Sequence, residues 1–257
     1  TVESINAIIN RMLDEFEADF GLSKNSDDSG VRLSDIIKSA FQKTGKKVVV
    51  IIDEYDAAML DTVDNTELQN KVRAIQNKFF SPLKELDKYI RFVFITGITK
   101  FSQMSIFSAL NNLEDISLLP EYETICGISM DEFLTTLKPD IQRFADLHGF
   151  TFEQTVAKFK NKYDGYNFSH KKQGVFNPFS VIKALNDRML NNFWFKSATP
   201  SALIKLIRKF DMQMFDFDNV ECDSDRFDQP VEQVTDLVPF LFQAGYLTIK
   251  GYRSEEH

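Results

Sequence analysis

The sequence predicts an α/β protein with a parallel sheet at its core, followed by a helical subdomain and a short helix-and-strand unit. Three observations carry this. Two short runs, "VVVII" (Val48 to Ile52) and "IRFVFIT" (Ile90 to Thr96), have the length and the β-branched or aromatic content of buried strands. Between them lies a segment of helical period, and parallel strands need such a crossover. Beyond residue 127 the strand signals give way to repeated helix starts.

Taken in order, Val2, Ile5, Ile8, Ile9, Met12, Leu13 and Phe16 recur at spacings of three and four, which predicts a first helix with one apolar face. The polar stretch Ser23 to Gly30 reads as a loop. Leu33, Ile36, Ile37, Ala40 and Phe41 then mark a second helix that stops near Gly45. The unbroken apolar run from Val48 to Ile52 predicts a strand covered on both faces, ending at Asp53 and Glu54. Leu68, Val72, Ile75, Phe79 and Leu83 give another helix, broken at Pro82, before the second strand. "EYETICG" (Glu121 to Gly127) is a third strand candidate, and residues 1–127 form the α/β core. Ser129 with Glu132 and Thr151 with Gln154 have capping-box spacing, while Asn177-Pro178 and Thr199-Pro200 each set a capping residue before a first-turn proline. Residues 128–215 are therefore read as a helical subdomain. The acidic stretch Asp211 to Asp228 reads as a connector, and "VTDLVPFLFQAGYLTIK" as a helix closed by Gly245 and then a strand. Residues 216–257 would thus be a connector and a winged-helix-like element.

Composition narrows the classes. At 257 residues and 43% hydrophobic content the chain can bury a real core. A formal charge of −8 and a pI near 5.0 argue against a surface built for nucleic acid, leaving at most a local basic patch. Cys126 and Cys222 lie far apart without metal spacing and only three histidines are present, so zinc is disfavoured; both cysteines are expected as buried thiols in a reducing, cytoplasmic setting. No apolar run approaches the roughly 18 residues of a membrane span, and no signal peptide opens the chain, so a soluble intracellular protein without a membrane partner is expected. The chain opens at Thr1 directly in an amphipathic pattern, which suggests a piece of something longer.

The chemistry concentrates where the strands end. An apolar strand closing on Asp-Glu is the Walker B arrangement, in which the aspartate holds Mg²⁺ beside nucleotide phosphates and the next residue polarises the attacking water. Asp53 and Glu54 fit those positions; the competing reading is a strand end capped by solvated acids. Thr96, at the end of the neighbouring strand, could contact the γ-phosphate or the water, or Thr96 and Thr99 could simply cap a turn at Gly97. The chain contains no G-x-x-x-x-G-K-[ST] phosphate loop: before Gly45-Lys46, Ala40 stands where the first glycine should be. A metal-dependent nuclease built on Asp53 and Glu54 would want a lysine beside its carboxylates, and Tyr55 and Asp56 follow instead.

Seven blocks in order, "VVVIIDEYDAAML", "FVFITGITKFSQMSIFSALNNLEDISL", "YETICGIS", "KYDGYNFS", "VFNPFSVIKAL", "FWFKSATPSALIKLI" and "FQAGYLTIK", resemble the bacterial AAA-ATPase-like family over about residues 33–250. The resemblance implies an incomplete P-loop NTPase-like parallel sheet core lacking the phosphate loop, which in this family lies upstream. It also implies ATP and Mg²⁺ as cofactors, and a restriction-endonuclease-like PD-(D/E)xK domain as a partner later in the same polypeptide. Carried over, Asp53 is the magnesium and nucleotide-site aspartate, Glu54 the candidate base and Thr96 a sensor-like residue. The family's S-G-T-P is Ser197-Ala198-Thr199-Pro200 here, which places any close backbone approach at residue 198 in doubt. The implied function is an ATP-binding and hydrolysing module, the alternative a regulatory or interaction module without turnover.

Three further features stay ambiguous in sequence. Around "KYDGYNFS", Lys158, Lys160, Lys162, Lys171 and Lys172 alternate with aromatics, as a nucleic-acid face would, although a solvated helix face running into a turn with inward rings explains them better. Asn111, Asn112, Glu114 and Asp115 read as a partner loop or as Asx-type turns. Arg91, Arg143, Arg188 and Arg208 are all candidates for a trans-acting arginine.

Overall fold

The computed structural model describes residues 1–98, 113–193, 204–205, 220–223, 226 and 238–253, which fall into two compact units. The first comprises Thr1–Leu113 with Pro200–Gln243, the second Glu114–Thr199 with Ala244–His257. The Thr199-Pro200 helix start, most of the acidic connector, and Asn111, Asn112 and Arg208 lie outside the described residues.

In the first unit, α1 (Val2–Asp19) starts where the Thr1 hydroxyl accepts from the Ser4 amide, and α2 (Ser29–Thr44) starts where Asp28 accepts from the Gly30 and Val31 amides. Gly45, at φ +65°, closes α2 in the left-handed conformation that glycine adopts without steric cost. Strand β1 (Val48–Ile52) follows, then the short α3 (Ala57–Asp61), α4 (Thr66–Phe80) capped by Asn65, and a 3₁₀ turn, Ser81–Leu86, where Pro82 ends the α-helical pattern. Strand β2 (Ile90–Ile95) lies parallel to β1, with Val49 opposite Phe92 and Ile52 opposite Ile95. The expected β-α-β crossover is therefore present, as a two-stranded sheet among the described residues.

Helices α1, α2 and α4 pack on one another, and α2 also meets β1. The approach of α2 to α4 is close: a Cβ added at Gly30 would stand 2.4 Å from the Lys78 carbonyl oxygen, so no larger residue fits there without backbone movement. What joins α1 to α2 is polar. Arg32 is 1% exposed; its Nε donates to Glu17 Oε1 and its Nη2 to Glu17 Oε2, both at 2.8 Å, while Nη2 also donates to Asp14 and Nη1 to Asn10. The predicted apolar face of α1 is thus narrower than the periodicity suggests. Leu13 is buried, whereas Ile8 and Phe16 are exposed and Glu17 takes a core position.

Four expectations are corrected. The first strand is not covered on both faces: among the described residues Val49, Ile51 and Phe92 are exposed, because the helices α1, α2 and α4 leave the alternate side chains of the pleat without cover. Glu121 to Gly127 forms no strand but a 3₁₀ turn, Pro120–Tyr122, and successive turns bonded over three residues. Cys126 on that turn run is consequently exposed, and Cys222 is half-buried, so neither is the buried thiol expected. The helix near the C-terminus, α9 by chain order (Val238–Gln243), ends before Gly245, at φ +81°, but Leu247 to Lys250 forms no strand. Instead Thr248 Oγ1 accepts from the Asn167 amide at 2.7 Å, tying that segment to the "KYDGYNFS" turn.

The second unit contains α5 (Met130–Thr135), α6 (Lys138–His148), α7 (Phe152–Tyr163) and α8 (Pro178–Asp187). The capping boxes at Ser129/Glu132 and Thr151/Gln154 both form, and Asn177 caps α8 before Pro178. These helices surround a core of Phe133, Ile141, Phe144, Phe159, Phe176, Val181 and neighbours, in which the rings of Phe133 and Phe176 stack at 4.3 Å. Tyr163 is buried with its hydroxyl donating to the Asn191 carbonyl at 2.8 Å, and Lys158 lies over the Phe150 ring. No helix of the described residues is long and apolar enough to cross a membrane.

Replacing Arg32 by Met leaves the Glu17 carboxylate buried without its partner and should cost about 3–5 kcal/mol in urea denaturation, with much of that loss recovered in the Arg32→Met/Glu17→Leu double variant.

Candidate functional site

The strand pairing decides which side chains meet at the carboxyl edge of the sheet. Ile52 and Ile95 are register partners, so Asp53 and Thr96 leave the sheet side by side. The ladder continues one step past the strands: the Thr96 amide donates to the Ile52 carbonyl at 2.8 Å and the Tyr55 amide to the Thr96 carbonyl at 3.1 Å. Thr96 Oγ1 then donates to Asp53 Oδ1 at 2.5 Å, a short, charge-assisted bond. Asp53 and Glu54 are exposed and Thr96 is half-buried, so the pair faces outward.

Glu54 stands between the two hydrogen-bonded positions at φ +50°, a left-handed conformation that costs a non-glycine residue roughly 1–2 kcal/mol. This turn reverses the chain at once. Glu54 O accepts from the Ala57 amide, and α3 begins immediately beyond. The turn is held from beneath by two buried polar side chains. Asp56, fully buried, accepts from the Ile98 amide at 3.2 Å through Oδ1, and Gln76 of α4, 8% exposed, donates from Nε2 to the Tyr55 carbonyl at 2.6 Å. Gly97 fits the space that remains. A Cβ there would lie 2.6 Å from both Asp56 Oδ1 and Tyr55 Cε1, so the second strand can end this close to the first only with glycine at that position.

The structure therefore brings Asp53 and Thr96 into direct contact, with Glu54 adjacent on a strained backbone. Asp56 and Gln76 are the residues that sequence reasoning passes over. The signal for Asp56 was its place three residues after Asp53; for Gln76 it was a polar residue on the face that also carries buried Val72 and Phe79. As donors, one carboxylate and one hydroxyl are hard oxygens of the kind Mg²⁺ takes, and Mg²⁺ sites commonly combine one or two protein oxygens with phosphates and water. Among the described residues no group of three or more His, Cys, Asp or Glu side chains could hold an ion by itself.

The other candidates fall elsewhere. Arg91 is an exposed residue of β2. Arg143 and Arg188 belong to the second unit and line an open groove with Asp140, Leu147 and Asn186, where Arg143 pairs with Asp140. Arg188 ends α8 in a left-handed conformation, its carbonyl bonded to His148 Nε2 at 2.9 Å. Asp115 accepts from the Ser117 amide at 2.9 Å, an Asx-type turn.

Comparison with known proteins bears on the first unit above all. Residues 1–107 match the family model described as a predicted AAA-ATPase. A curated relative from Azotobacter chroococcum mcd 1, an uncharacterized protein in the vnfD 5' region, is 30% identical over 238 residues, which are 91% of this chain and 43% of the relative. The chain thus spans less than half the length of that relative. No solved structure matches.

Because Glu54 occupies a left-handed position, Glu54→Gly should leave stability within about 1 kcal/mol of the parent, whereas β-branched Glu54→Val should lower it by about 1–2 kcal/mol, both read from urea midpoints.

Proposed function

Residues 1–107 match the predicted AAA-ATPase family, and from that premise we propose that the carboxyl edge of β1 and β2 is the magnesium-and-water side of an ATP site. The observation that supports it most is the 2.5 Å bond between Thr96 and Asp53, which sets a hydroxyl and a carboxylate together on the outer edge of a parallel sheet. In this reading Asp53 would hold Mg²⁺, which when bound supplies positive charge against the phosphates. Glu54 orients a water and accepts its proton, and Thr96 keeps the Asp53 carboxylate in one orientation while its oxygen is left to accept from the attacking water.

The chain has no G-x-x-x-x-G-K-[ST] segment, so the cradle for the phosphates would come from residues outside these 257. In the same proposal, nucleotide occupancy regulates a nuclease-like PD-(D/E)xK neighbour in a longer polypeptide.

The test uses a polypeptide extended upstream through the phosphate loop. Mg-ATP hydrolysis should be measurable and should fall by about two orders of magnitude or more in Glu54→Gln, with nucleotide affinity retained. Undiminished turnover removes Glu54 as the base, and tight binding without any turnover in the parent favours a regulatory module that does not hydrolyse.

A further inference from the structure

The Asp53–Thr96 contact raises a physical question that the two residues do not answer. A threonine at a strand end, half-buried and free to rotate about χ1, has three staggered positions, and only one of them points Oγ1 at Asp53. Ladder bonds fix the Thr96 backbone on the β1 side, through Ile52 O and Tyr55 N. On the far side the chain leaves through Gly97, which has no side chain of its own to anchor it, and the next fixed point is Ile98.

That point is held by a carboxylate. Asp56 is 0% exposed, and its Oδ1 receives the Ile98 amide at 3.2 Å while lying 2.6 Å from where a Gly97 Cβ would stand. Asp56 is N-cap to α3 in position, yet its side chain makes no capping bond to that helix. Its reach is toward the other strand. The chain from Asp53 to Asp56 and the chain from Thr96 to Ile98 are thus joined by three bonds: the ladder bond from the Tyr55 amide to the Thr96 carbonyl, and two made by side chains, Thr96 to Asp53 on the exposed side and Ile98 to Asp56 on the buried side. The left-handed Glu54 is the bend that lets both aspartates face the same strand end.

We propose that Asp56 is a positioning residue for the Asp53–Thr96 pair: by holding Ile98 from beneath, it sets the turn at Gly97 and so fixes the rotamer in which the Thr96 hydroxyl meets Asp53. Its functional meaning rests on the ATP-site reading above, but the positioning itself does not. A buried oxygen that accepts an amide, and the amide itself, are each costly to leave without the other, so this junction opens or closes as a unit.

Thr96 methyl signals and three-bond couplings in the isotope-labelled 257-residue chain report the χ1 population directly. The parent should show one rotamer. Asp56→Leu, which keeps the branch at Cγ but has no acceptor, should show rotamer averaging at Thr96 and amide exchange at Ile98 at least about tenfold faster; Asp56→Asn, which keeps Oδ1 at nearly the parent volume, should restore both. Should Asp56→Leu fail to fold, Gly97→Ala pushes the same turn from the other side and should give the same averaging at Thr96. A single parent-like Thr96 rotamer in whichever variant folds overturns the proposal. In the extended polypeptide, Asp56→Leu should lower kcat about tenfold with KM for ATP within about twofold, and Asp56→Asn should stay near the parent. Absence of both nucleotide binding and hydrolysis in the parent removes the ATP reading, while the Thr96 rotamer still decides the role of Asp56.

Discussion

The first unit depends on how two parallel strands are brought to an end together. A strand that stops must satisfy its last amides and carbonyls, and here they are satisfied across the gap between the strands instead of by water. The ladder runs on through Thr96 and Tyr55, and then a buried carboxylate, Asp56, takes the amide of Ile98. Placing that carboxylate under the turn requires glycine at 97 and a left-handed residue at 54. Each exception to ordinary local preference is therefore explained by the same constraint, and each lies within a few residues of the outward-facing Asp53 and Thr96. Strain collected at one spot, with its support buried beneath, is the pattern expected where geometry matters more than stability.

The two units solve the burial problem differently. In the first, α1 is joined to α2 through a guanidinium held by Glu17, Asp14 and Asn10, and α4 places Gln69 and Gln76 on its inner face. Such contacts are directional: they specify one arrangement of the helices but add little net stability once desolvation is counted. In the second unit the helices close on stacked and edge-on phenylalanines, with Phe133 touching both Phe159 and Phe176. Aromatic burial supplies stability with looser geometric demands. The site candidates lie in the unit that adds these directional polar contacts to a buried apolar core of Leu13, Ile37, Met59, Val72 and Leu83.

Much of this was legible in sequence because it follows from local rules. The β1 and β2 runs, the crossover between them, the break at Pro82, both capping boxes and the Asn177 cap depend on residues within a few positions of each other. What escaped the sequence was set by distant partners. Glu17 reads as a solvent-facing residue of an amphipathic helix until Arg32 arrives from another helix to bury it. Asp56 reads as one more acid after Asp53 and Glu54, and only the register of β2 reveals that it points beneath the strand end. The strand expected at Glu121 to Gly127 fails for a related reason: "YETICG" has strand-like composition, yet the sequence around Pro120 and Gly127 favours tight turns, and no neighbouring strand is present to pair with it among the described residues.

The electrostatics of the strand ends say what a complete site must contain. Asp53 and Glu54 are both exposed, and they stand on a chain of formal charge −8. A triphosphate brought to that edge alone meets like charge, and at surface dielectric the repulsion of unit charges a few Å apart amounts to a few kcal/mol. The short Thr96 bond orients the Asp53 carboxylate but adds no positive charge. On the proposed ATP reading, attraction for the nucleotide would therefore come from other groups, a divalent cation together with backbone amides and a lysine. Two carboxylates on a rigid, strained turn are suited to orienting such partners, and by charge alone they are unsuited to binding the nucleotide without them.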